Sequence, residues 1–137
     1  MINDALLAYL NDNVSGLSFH MGAAPSNYSM PCCTIDNNGD YRDRFWSNGA
    51  TVTGLKDQEY ELTVWADLIA GGPRQAALKA EELIALLDNY SGPMTDTQTS
   101  PNISYRVTQV EASDGGGGYD ADAERWGHSV FLTLSYD

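Results

Sequence analysis

Glu59-Tyr60-Glu61-Leu62-Thr63-Val64-Trp65-Ala66-Asp67 decides the fold, together with the run behind it. Tyr60, Leu62, Val64 and Ala66 alternate with Glu61, Thr63, Trp65 and Asp67, a period of two built from strong strand formers. After the break at Gly71-Gly72-Pro73 the period changes. Ala76, Ala77, Ala80, Leu83, Ile84 and Leu87 fall on one stripe of an amphipathic helix. Gly72 suits the N-cap and Pro73 the first helical position, while Asn89 and Gly92-Pro93 stop the helix. Small alanines at the start of the stripe let the helix lie close to a sheet, and Leu and Ile fill the space at its end. The expected core is Leu62, Val64, Ala77, Ala80, Leu83, Ile84, Leu87, Val130, Leu132 and Leu134, with Leu6 and Leu10 docked on it.

Outward from that unit, Ile2, Leu6, Tyr9 and Leu10 make a short helical stripe ahead of Asn11-Asp12-Asn13. Residues 17–21 suit a brief strand, and residues 22–30 read as a loop. Pro31-Cys32-Cys33-Thr34-Ile35-Asp36 reads as a strand with proline at its entry. Asn38-Gly39 favours a tight hairpin turn, which makes residues 40–46 the return strand. Tyr41, Asp43 and Phe45 then share one face, and Arg42, Arg44 and Trp46 the other. A second Asn-Gly, Asn48-Gly49, precedes residues 50–53, so an extended hairpin arm is expected, too polar for a core and in need of something outside the subunit to lie on. Residues 90–101 read as a turn-rich connector. Ile103, Tyr105 and Val107 start a strand expected to run to Ala112, and residues 113–118, with four glycines, read as a flexible tip. The strand at residues 125–136 sets Trp126, His128, Val130, Leu132, Leu134 and Tyr136 on one face. The order predicts an α+β fold: one domain over residues 1–137, a mainly antiparallel sheet with helices on one face, and a protruding β-hairpin arm.

Composition narrows the function. A chain of 137 residues with 42% apolar content supports one modest core. A net charge of −12 repels phosphate backbones and anionic membrane surfaces, which argues against a nucleic-acid-binding module and against membrane docking. Acidity also serves plain solubility. No apolar run reaches the roughly 18 residues of a membrane helix. Met1-Ile2-Asn3-Asp4 lacks the basic and apolar regions of a signal peptide, so cytosolic synthesis is expected. Adjacent Cys32 and Cys33 do not suit a stapling framework and read as small strand residues on opposite faces.

Chemistry finds little footing. Asp36-Asn37-Asn38-Gly39-Asp40 offers oxygen ligands, but Tyr41 and Ser47 stand where a calcium loop needs glycine and glutamate, and a turn explains the stretch better. His128, on an apolar strand face, reads as a hydrogen-bonded core or interface residue rather than a base. The cysteines lack a neighbouring positive charge to lower a thiol pKa. Residues 115–118 lack the strand-to-helix setting and the lysine of a phosphate loop. No catalytic, cofactor or metal site is expected.

The ordered pattern resembles the tail terminator (tail completion) proteins of long-tailed bacteriophages and gene transfer agents. The resemblance is carried by the helix around Ile2 to Leu10, the Met30-Pro31-Cys32-Cys33-Thr34-Ile35 loop and strand, and the Tyr60-Glu61-Leu62-Thr63-Val64-Trp65-Ala66 strand running into an Ala/Leu-rich helix. Arg125-Trp126-Gly127-His128-Ser129-Val130-Phe131-Leu132-Thr133-Leu134 closes the pattern. The resemblance spans most of the chain and rests on order rather than on an invariant motif. It implies a homohexameric ring capping the head-proximal end of the tail tube in the virion, assembled in host cytoplasm. The implied partners are the tail tube protein and a head-completion or connector protein, with DNA passing through the lumen without specific binding. Six copies at −12 each would carry −72, a lumen charge over which DNA slides. The expected subunit interface is Tyr41, Arg42, Arg44, Phe45, Trp46 and Tyr119. Other readings stay open: another head–tail joining or tail tube ring component, a small enzyme using carboxylates of the arm and the glycine tip, or a monomeric binding module presenting Trp46 and Tyr119.

Overall fold

The computed structural model describes residues 2–23, 30–37, 42–47, 52–68, 71–122 and 124–137, with backbone alone for 42–47 and 52–55. Its elements are α1 (Ile2–Asn13), β1 (Ser18–Met21), β2 (Cys32–Asn37), β3 (Arg42–Ser47), β4 (Val52–Ala66), α2 (Gly72–Leu87), β5 (Gly92–Asp96), β6 (Ile103–Asp120) and β7 (Arg125–Tyr136). The fold is α+β. The strands form one mixed sheet in the order β1-β2-β4-β7-β6-β5, with β3 paired to β4. Among the described residues, only the β1–β2 pairing is parallel. Helix α1 touches both β1 and β5, the two ends of that order, so the sheet is curled; α2 lies against β7, β6 and β4.

The predicted strand and helix at the centre are present, and local chemistry explains their limits. Gly71 is the N-cap, one residue before the expected Gly72, and Gln75 N–H donates to its carbonyl. Gly72 is needed for another reason: a Cβ there would stand 1.8 Å from the Asp67 carbonyl oxygen. At the far end Asn89 takes a left-handed φ of 63°, and its N–H donates to the Val110 carbonyl, tying the helix exit to β6.

One hydrophobic cluster joins Leu6 and Leu10 of α1, Leu62 and Val64 of β4, Ala80, Leu83 and Leu87 of α2, and Val130, Leu132 and Leu134 of β7. Two expected members differ. Ala76 rather than Ala77 is enclosed, and Ile84 is only partly buried, because the buried stripe is centred on residues 76, 80, 83 and 87 and leaves 77 and 84 together at its margin. Cys33 belongs to the cluster, whereas Cys32, beside Trp65 in register, is buried on the opposite face.

Three expectations are corrected. Asn38-Gly39 lies outside the described residues, but β2 and β3 both run antiparallel to β4 along the same edge, so β3 continues in the direction of β2 and is not its return strand. Residues 90–101 contain β5, an edge strand that accommodates Pro93 because among the described residues it pairs with β6 alone. Residues 113–118 are not a tip. They belong to β6, which runs on to Asp120 in register with β7. Two irregularities shape β6. The shift between Val107 and Gln109 changes the parity, which lets Val107 and Val110 both face the core. The second, between Asp114 and Gly116, uses Gly116 at φ +82°.

Candidate functional site

Strand β4 carries two different surfaces. Its ladder with β7 runs from Lys56 to Ala66, and its ladder with β2 covers residues 60–65, so that end is flanked on both sides. Among the described residues, the other end pairs with β3 alone at residues 52–55. Val52 stands opposite Ser47, so the two strands form a two-stranded ribbon. At the junction, Ser135 Oγ donates to Asp57 Oδ1 at 2.6 Å, and both residues are buried. A buried carboxylate held this way fixes the point where the ribbon leaves the sheet.

The predicted interface residues separate into two groups. Tyr41 lies outside the described residues. Arg42, Arg44, Phe45 and Trp46 fall on β3, opposite Asp57, Leu55, Gly54 and Thr53. Tyr119 lies on β6 opposite Trp126, which in turn is opposite Ala66 at the far end of β4. It is 53% exposed and does not join the β3 group within one subunit.

Tyr119 instead borders a groove of about 630 Å³ on the sheet face opposite the core. Asp36, Glu61, Thr63, Trp65, Asp120 and Ser129 line it, with the backbone of residues 115–118 and Gly127. Trp65 is pinned by its indole N–H, which donates to Thr34 Oγ1 at 2.9 Å. Gly127 makes room for that ring: a Cβ there would sit 3.0 Å from Trp65 Cζ3 and from Thr63 Cγ2. Sequence reasoning missed this groove. The signal was the recurrence of glycine on two neighbouring strands, which becomes visible only once their register is known.

Burial and local hydrogen bonds account for the perturbed ionisable groups of Cys32, Cys33, Tyr60 and Asp114. Burial pushes the Cys33 thiol far up, and burial also raises Cys32, which suits two inert buried thiols. Tyr60, raised first by burial, donates its hydroxyl to Asn3 Oδ1. His128 Nε2 lies 2.7 Å from Asp114 Oδ1. The Gly116 N–H and then His128 hold that carboxyl below its usual range. Asp36 and Asn37 of the weighed calcium stretch end β2, and Asn37 Oδ1 accepts from Gln58 Nε2; residues 38–40 lie outside the described residues. Among the described residues no three His, Cys, Asp or Glu side chains are grouped as a metal site, and no helix is long and apolar enough to cross a membrane. No protein-family model matches the chain. No curated protein sequence matches it either.

Proposed function

We propose that this chain is a structural, non-catalytic subunit of a homohexameric ring that caps the head-proximal end of a phage tail tube and joins tail to head. The observation that carries the reading is the ribbon of β3 and residues 52–55 of β4, which among the described residues has no third strand. A two-stranded ribbon is marginal in water unless something packs on it. In this reading the ribbon is the protruding arm and both helices cover the single core face of the sheet. The shared cluster that contains residues of α1, α2, β4 and β7 supports that layering. The neighbouring subunit, the tail tube protein and a head-completion protein are the partners, and the charge of −12 per copy suits a lumen that DNA traverses without binding.

Electron microscopy and sedimentation of the purified chain test this directly. Closed six-membered rings are expected, six copies of 14.9 kDa giving about 89 kDa. Open filaments would point instead to a tube subunit. A 14.9 kDa monomer at every concentration, with or without tail tube protein, would overturn the reading.

A further inference from the structure

The glycines of the groove divide into those the subunit needs and one it does not. Gly115 and Gly127 are filled by neighbours: a Cβ on Gly115 would meet Phe131 at 2.5 Å, and one on Gly127 would meet Thr63 and Trp65. Gly116 needs its positive φ. Gly118 has neither reason. Its φ is ordinary, it stands in register opposite Gly127, and a Cβ there would meet nothing within 4 Å. A glycine in a regular strand with open space above it weakens the strand and packs nothing, unless a second backbone or side chain comes close from outside.

We infer that this groove is the seat for the β3 ribbon of a second copy of the chain, which deepens the ring reading and rests on it. Two further observations select that occupant. The first is charge. Asp36, Glu61 and Asp120 line the groove, with Arg125 opposite Asp120. The chain has only seven basic residues, and two of them, Arg42 and Arg44, fall on β3 at alternate positions that lead to Trp46. A ribbon strand that carries two arginines and a tryptophan complements in charge an acidic groove that already contains Trp65 and Tyr119.

The second is position. The ribbon ends at Val52 and the groove is centred near Thr63, both on β4. At roughly 3.3 Å per residue the two lie up to about 36 Å apart along one strand. A ribbon leaving one end of β4 is directed away from the groove at the other end, so the groove it fills belongs to the next copy. That makes the contact heterologous, one surface meeting a different one, which is the kind of contact that propagates around a ring.

The test uses the full chain and four variants, reading melting temperature and the association midpoint by sedimentation. Gly118→Val places a β-branched side chain over the groove. It is expected to melt at or above the wild-type temperature and to weaken association at least tenfold. Asp36→Asn with Glu61→Gln removes groove charge without added bulk, and is expected to weaken association and flatten its dependence on salt. Arg44→Glu is expected to weaken association, and Arg44→Glu combined with Glu61→Arg to restore a substantial part of it. Wild-type association in Gly118→Val and in the charge variants would overturn the groove as the seat while leaving the ring intact. A wild-type chain that never associates would overturn both, and the two failures are told apart in one experiment.

Discussion

The two ends of β4 obey different rules. From Lys56 to Ala66 the strand is flanked by β7 on one side and, over most of its length, by β2 on the other. Its inward residues Tyr60, Leu62, Val64 and Ala66 are almost fully enclosed. From Val52 to Leu55 the same strand pairs, among the described residues, with β3 alone. Continuous hydrogen bonding therefore spans a region flanked on both sides and a region that, among the described residues, has one strand beside it. The lesson is that a strand's stability follows what flanks and covers it, and not its length.

Substitutions at the two ends should separate most widely. Leu62→Ala at the enclosed end should cost about 2–5 kcal/mol in a denaturant titration, because the side chain is 0% exposed. A loss under about 0.5 kcal/mol would mean that the end is not the core. Asp57→Ala, at the junction, should cost about 1–3 kcal/mol by leaving the buried Ser135 hydroxyl without this acceptor. A similar loss of about 1–3 kcal/mol is expected for Gly127→Val, from crowding against Thr63 and Trp65. At the ribbon, Trp46→Ala should leave subunit stability within about 0.5 kcal/mol of wild type while weakening the proposed ring or its proposed docking to a tail. If Trp46→Ala unfolded the subunit, the ribbon would be part of the core instead.

The smallest effect concerns pH. Asp114 is held below the ordinary carboxylate range in the folded chain. Its contribution is therefore present above that range and is lost as the pH falls through its lowered folded value. The group is more than half exposed, so screening limits the effect to within about 0.5 kcal/mol. Comparing Asp114→Asn with wild type in an acid titration of stability should show a slightly shallower acid loss in the variant.

The enclosed end was legible in the sequence because its information is local. Alternation in β4 and the stripe in α2 each repeat within one element, and each names its own buried face. The ribbon's course was not legible. Asn38-Gly39 is a strong local turn signal, yet the pairing of β3 is set by β4 across the sheet, and that ladder keeps β3 running in the direction of β2. Glycines 115–118 looked like a tip because glycine has poor intrinsic strand preference. They are strand because β7 offers a continuous ladder as far as Asp120. The same non-locality hid the groove, whose lining comes from β2, β4, β6, β7 and the turn after β6. Of the expected interface residues, Tyr119 stands apart from those on β3, since the register sets it opposite Trp126, at the other end of β4.

Amide hydrogen exchange along β4, in the dissociated subunit and in the assembled ring, tests the contrast between its ends most directly. In the subunit, amides at residues 62–64 should exchange only through global unfolding, and those at residues 52–55 much faster. In the proposed ring, residues 52–55 and 115–118 should slow together, because the proposal seats one on the other in the next copy. Residues 52–55 as protected in the subunit as residues 62–64, or unchanged by assembly, would contradict it.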